Sequence, residues 1–262
     1  MDSFYTEQEL QKIGFKSVGK NVKLSRKVSI YSPESISIGD NVRIDDFCIL
    51  SGNITIGSNV HISAYVALYG AMGIVIEDYS GISPKSVVYS AMDDFSGEYL
   101  IGPIHPTHTT NVTGGVVTIC RYVQIGSNTV VFPNLTIGEG AVIGACSLVR
   151  NNIKEWSVNY GIPAKKYKAR KKTMLRFIDE ANRDYINDNQ IDKTLTGEAV
   201  REPKSTSSES CDLKVKPQKN PSEIADLSQN GRDMTRNQAI DFQSESLSVP
   251  KKEFSDGLGG VN

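Results

Sequence analysis

The sequence predicts an all-β solenoid, a three-sided column of parallel strands wound in about six triangular coils. One long loop excursion should interrupt it, with a short N-terminal helix before it and a C-terminal helix and disordered tail after it. Three observations predict this. Aliphatic residues recur at every sixth position, the recurrence closes after three units, and the interval from Ile76 to Ile119 is too long for one coil.

The coils are read in order. Val18, Leu24 and Ile30 open the series, followed by Ile38, Ile44 and Leu50, then Ile56, Ile62 and Leu68. Ile76, Ile82 and Val88 come next. After the long interval the beat returns at Ile119, Ile125 and Val131, and again at Ile137, Ile143 and Val149. A period of six fits neither an amphipathic helix nor an alternating strand. Three units of six close a triangle whose aliphatic residues point inward, each stacking on its equivalent one coil away. Small or β-branched residues four places on (Val42, Val60, Val66, Thr129, Ala141) repeat the pattern. Ser37 and Thr55 read as short corner insertions. Coils spaced like paired strands, about 4.8 Å apart, give a column roughly 30 Å tall.

The flanks complete the organisation. Residues 4–13 are expected to form a helix within a cap spanning 1–17, and the β-helix to span 18–154 with its loop at 90–116. Segment 155–190 should hold a short tail, Trp156 to Lys172, and a helix from Lys172 to about Asn187. Residues 191–262, rich in Ser, Lys, Asp, Asn and Gln, have the composition of a disordered tail.

Composition removes several function classes. The 262 residues carry a net charge of −1, which offers no electrostatic footprint for nucleic acid. No apolar run approaches membrane-spanning length, and the N-terminus lacks the basic-then-apolar pattern of a secretory signal. Cys48, Cys120, Cys146 and Cys211 are far apart and form no CxxC pair, as expected of reduced thiols in a cytoplasmic protein. Without secretion, the sequons at Asn53, Asn111 and Asn134 carry no meaning.

The repeats from Val18 to Val149, with the ending Gly161-Ile-Pro-Ala-Lys165, resemble the hexapeptide-repeat acyltransferases, most closely the galactoside, maltose and xenobiotic O-acetyltransferase group. The resemblance covers about two-thirds of the chain. It implies a left-handed β-helix, a homotrimer with active sites between subunits, acetyl-CoA as donor, no metal, and a sugar acceptor from surface polysaccharide or lipopolysaccharide biosynthesis. Laid on this chain, the donor contacts fall at Gly126, Ser127, Ala145, Arg150, Pro163, Lys165 and Lys168. Backbone N–H groups would meet pantetheine carbonyls, and the cations would meet phosphates. The N–H of Gly126 or Ser127 is expected to receive the oxyanion.

On the acceptor side the chain departs from that pattern. Galactoside-type enzymes place a catalytic His at the end of the fourth coil, and this chain has Asp93 there. A hydroxyl acceptor calls for a base titrating near neutrality, and the histidines are His61, His105 and His108. The favoured arrangement pairs His61 with Asp93 or Asp94 across a subunit cleft, with Ser63 and Tyr65 on the acceptor. In a second arrangement the loop returns His105 to the site. An alternative within the family is an N-acetyltransferase acting on a nucleotide-linked amino sugar, for which Asp93 suffices as base. Outside it stand a zinc hydro-lyase using three histidines and a non-catalytic scaffold.

Overall fold

The computed structural model describes residues 3–178 and residue 180. The chain winds as the left-handed parallel β-helix that the repeat predicts. Each of the three expected ladders is present in register. Val18, Ile38, Ile56, Ile76, Ile119 and Ile137 stack in one. Leu24, Ile44, Ile62, Ile82, Ile125 and Ile143 form the second, and Ile30, Leu50, Leu68, Val88, Val131 and Val149 the third. Nearly all are fully buried. Strands are only two or three residues long at most rungs, but Ile49–Ile56 and Ala67–Ile76 run through a corner and join two faces.

The corners explain why the hexad closes. Three residues after a ladder aliphatic the backbone enters the left-handed region, at Asn21, Asn41, Asn59, Tyr79, Tyr122 and Trp156 in one column. Phe47, Tyr65, Lys85, Asn128 and Cys146 do so in another. Asn tolerates this conformation and bulky residues resist it. Above the first coil each is held by its own N–H bonding to the coil below, as in Tyr79 N to Ser58 O and Tyr122 N to Asp78 O. Side chains stack along the same columns. Asn21, Asn41 and Asn59 pass amide hydrogen bonds upward at 2.9 and 2.6 Å, and Tyr79, Tyr122 and Trp156 continue as an aromatic stack. Gly57 is required by close approach, since a Cβ there would crowd Asp78 Oδ1 and lie 2.9 Å from the Asp78 backbone N.

The flanks differ from expectation in extent. The N-terminal helix is shorter, Glu7–Ile13, because Thr6 caps it with a reciprocal Glu9 bond, and only Leu10 inserts fully into the core. Arg26 grips Glu9 with both Nη groups, at 3.0 and 2.6 Å, and holds its carboxyl down to about 2. A depressed carboxylate contributes stability above its ordinary value of 4.5 and loses it as pH falls toward about 2. NMR of the Leu10 methyls should therefore report release of this helix across that acid window. Glu9→Gln should release it already at neutral pH.

The segment expected as a plain tail is an antiparallel hairpin, Ser157–Gly161 with Ala164–Ala169, which caps the last coil. Its Lys-rich outer strand has no apolar alternation that could have announced it. Arg170 then anchors the chain by donating to Tyr122 O and Gly140 O. The expected helix from Lys172 begins as a 3-10 turn, Thr173–Leu175. Its remainder and the tail 191–262 lie largely or wholly outside the described residues. Among the described residues no helix is long and apolar enough to cross a membrane.

Candidate active site

The outer surface of the second ladder carries most of the polar candidates. Before each aliphatic stand, from the N-terminal end upward, Lys23, Arg43, His61, Gly81, Gln124 and Val142. After each stand Ser25, Asp45, Ser63, Ser83, Gly126 and Gly144, whose N–H groups bond the next rung. One face therefore runs from charged side chains at its N-terminal end to bare glycines at its C-terminal end.

His61 is exposed on this face, and within the protomer its partner is Asp45 and not Asp93. Asp45 Oδ2 accepts from His61 Nε2 at 2.8 Å, while Oδ1 accepts from Arg43 Nε at 2.7 Å. Partial burial works against ionisation of Asp45, but the bonds from His61 and Arg43 outweigh it and hold the carboxyl below its usual range. Sequence reading missed Asp45 because the pair is 16 residues apart and visible only when the hexads are stacked in register. Ser63 is half-buried beside His61, and its carbonyl accepts the Cys48 thiol. Tyr65 turns away to the corner, where it stacks on Phe47 at 5.0 Å.

One rung above His61, Ser83 Oγ accepts from Gln124 Nε2 at 3.3 Å. Gln124 lies over Gly81, where any Cβ would collide with it. Neither Ser83 nor Gln124 was singled out from sequence; the same registered stacking would have found both.

The excursion is an ordered hairpin, Ala91–Asp93 paired with Val112–Gly114 and rooted where Gly115 N donates to Ser90 O. Asp93 ends its first strand, half-buried, and accepts from Gly102 N at 3.3 Å. Asp94 is committed to the loop itself. It accepts from Ser96 N at 2.6 Å and from Asn111 Nδ2 at 2.8 Å, bonds that keep its carboxyl below the usual range. His105 is half-buried and His108 exposed, and neither makes a hydrogen bond among the described residues. The loop does not seat either imidazole beside a partner that could orient it. The three histidines join no cluster able to hold a metal among the described residues.

At the C-terminal end, Gly126 N donates to Ile143 O at 2.8 Å. That corrects the expectation that Gly126 could receive an oxyanion, because its N–H is spent on the next coil. The Ser127 N–H has no partner among the described residues. Ala145 is exposed beside it. Further on, the hairpin frames an open groove of about 380 Å³ lined by Tyr160, Ile162, Pro163, Lys165, Lys166 and Tyr167. Lys168 stands over the Tyr167 ring at 5.5 Å and Arg150 over Phe132 at 6.0 Å.

Comparison with known proteins agrees with this architecture. Residues 35–70 match the family model described as bacterial transferase hexapeptide (six repeats). A dTDP-4-amino-4,6-dideoxy-D-glucose acyltransferase of Escherichia coli is 41% identical over 190 residues, covering 71% of this chain and 99% of that enzyme. The solved structure of AntD, an N-acyltransferase from Bacillus cereus, in complex with dTDP and 3-hydroxybutyryl-CoA, is 50% identical. It covers 71% of this chain and 99% of that one, with a TM-score of 0.69. A serine variant of AntD, solved with dTDP-4-amino-4,6-dideoxyglucose and coenzyme A, is 50% identical over 70% of this chain and 100% of that one, with a TM-score of 0.69. With three registered ladders, an interrupting hairpin and relatives matched over nearly their whole length, the chain belongs to the hexapeptide-repeat acyltransferases.

Proposed function

We propose that the protein transfers an acyl group from a coenzyme A thioester to the amine of a nucleotide-linked amino sugar, as a homotrimer with sites between subunits. The observation that carries this reading is the half-buried carboxylate of Asp93, at the end of the first strand of the excursion hairpin, where the resemblance to galactoside-type O-acetyltransferases leads one to expect an imidazole. A carboxylate is ordinarily a weaker base than imidazole for activating a sugar hydroxyl, whereas a neutral amine is nucleophilic without prior deprotonation. Its nitrogen attacks the thioester carbonyl and becomes an acidic ammonium in the tetrahedral intermediate. Asp93 takes that proton and, as the C–S bond breaks, returns it to the departing thiolate, which gives coenzyme A, an amide and the regenerated carboxylate. The similarity to dTDP-amino-sugar acyltransferases supports the same substrate class. AntD has been altered at a serine and an aspartate ten residues apart, the spacing of Ser83 and Asp93 here.

The donor fits the glycine end of the face. Gly126 and Gly144 carry no side chain and Ala145 is exposed, which leaves room for the pantetheine arm along this strip, and the Ser127 N–H is the donor assigned to the oxyanion. Lys165 and Lys168 of the hairpin, with Pro163 in its groove, and Arg150 at the end of the third ladder supply cations and apolar surface for the nucleotide end of coenzyme A. The test is steady-state acyl transfer to a dTDP-linked 4-amino sugar and to the same nucleotide sugar with a 4-hydroxyl. The amine should be preferred in kcat/KM by at least about 10³-fold, on the scale of a missing general base. Equal use of both acceptors would contradict the reading.

A further inference from the structure

One exposed amide on the same face is folded down onto the sheet. Gln124 stands directly above Gly81 in the register of the second ladder. Its carboxamide lies over the rung below, so that a Cβ at Gly81 would come within 2.5 Å of Gln124 Oε1 and 3.2 Å of Nε2. From there Nε2 donates to Ser83 Oγ at 3.3 Å and reaches toward Ile125 O at 3.5 Å. The same carbonyl accepts from Ser83 N at 2.8 Å. Both neighbours of Nε2 are acceptors, which assigns the nitrogen to that side and turns Oε1 toward the glycine.

Ser83 is otherwise free at its side chain. Pro84 follows it and favours an extended backbone. Its N–H is spent on Ile125, so rotation about χ1 is the freedom that remains. Next in its own column stands Gly126, which offers no side chain to restrain the hydroxyl. Among the described residues, Gln124 supplies the side chain that bonds it. A hydroxyl carries one proton and two lone pairs. The Gln124 N–H occupies one lone pair and leaves the proton and the second lone pair on the side away from the amide.

We propose that Gln124 is a positioning residue that holds the Ser83 hydroxyl toward the acceptor amine, and that Gly81 is the gap that lets it reach. This rests on the amino-sugar reading above and adds what orients Ser83. An amine held by one of its N–H groups keeps its lone pair free for the thioester carbonyl. The lone pair that Ser83 retains accepts such an N–H, provided the hydroxyl does not rotate away. Glycine at 81 and a primary amide at 124 are thus one device on two rungs. A plain solvated glutamine would account for neither the gap at 81 nor the amide lying in it.

The test is steady-state acyl transfer to a dTDP-linked 4-amino sugar in a double-mutant cycle. Gln124→Met keeps the length of the side chain and removes the donor. It should lower kcat about fivefold with both KM values within about twofold, the size of one neutral hydrogen bond. In a Ser83→Ala background the same substitution should change kcat by less than about twofold, because its effect passes through the hydroxyl. Gly81→Ala should lower kcat as Gln124→Met does, since its methyl displaces the amide. Should Gly81→Ala fail to fold, Gln124→Met carries the test alone. Gln124→Glu keeps the shape but only accepts, and should not recover the loss. Gln124 is exposed, so Gln124→Met should leave Tm within about 1 °C. Wild-type kcat in Gln124→Met, or an equal loss with and without Ser83, would overturn the positioning role and leave amine transfer standing. Absence of transfer to any nucleotide-linked amino sugar by the wild type would instead overturn the proposed reaction. A crystal structure of Gln124→Met then reads the device directly. Ser83 spread over more than one rotamer is expected, and the single wild-type rotamer would overturn it.

Discussion

Asp93→Asn should lower kcat by about 10²- to 10³-fold with little change in the acceptor KM, because a positioned base contributes about that much. The substitution keeps the shape of the side chain and its acceptor oxygen for Gly102 N, so the hairpin survives. What it removes is the group proposed to take the proton from the ammonium of the intermediate. The effect should be independent of donor concentration. Asp94→Asn provides the contrast, since Asp94 braces the loop through Ser96 and Asn111. Its loss should raise KM and loosen the hairpin more than it lowers kcat. If Asp93→Asn retained wild-type kcat, the proton would have to go elsewhere. His61 would then return as candidate, now with Asp45 as its orienting carboxylate.

The second large effect is on stability. Ile62→Ala should cost about 3 kcal/mol, in the middle of the range for emptying a fully buried aliphatic position. For a domain of this size that corresponds to a fall of roughly 10 °C in Tm. Ile62 is fully buried with Ile44 below and Ile82 above, so neither neighbour can swing in without breaking its own rung. The residue also stands between His61 and Ser63 and supports the outer face of the second ladder. Thermal unfolding followed by circular dichroism checks the prediction. The same substitution at Ile162, which is 75% exposed, should leave Tm within about 1 °C.

The ladders were legible because their signal is a period, and a period survives any variation at the other five positions of the hexad. The excursion was legible as a length, from Ile76 to Ile119, but its internal fold was not. That fold depends on Asp94 reaching Asn111 across 17 residues, which no local pattern encodes. The corners were half legible. Asn41 and Asn59 suit a left-handed turn by their chemistry, whereas Tyr65, Tyr79 and Trp156 adopt it only because the coil below holds their N–H groups.

The donor end was read from the family resemblance, and the structure sharpens it by separating Gly126, whose N–H is spent, from Ser127. The acceptor end was read through a preference for imidazole that placed His61 against Asp93. The structure gives His61 to Asp45, and the amino-sugar alternative needs only Asp93. The difference lies between contacts along the chain and contacts between coils. A column of stacked hexads brings together residues 16 to 18 apart, and Arg43, Asp45 and His61 become one cluster only in that register.

The bond formed in the product tests the central claim most directly. A dTDP-linked amino sugar carrying ¹⁵N at its amine is incubated with an acyl-CoA and the full chain, and the product is examined by proton–nitrogen correlation NMR. A new amide N–H correlation, appearing in step with coenzyme A release and resistant to mild base, is the expected result. Coenzyme A release accompanied by a base-labile ester and an unchanged amine would contradict the account.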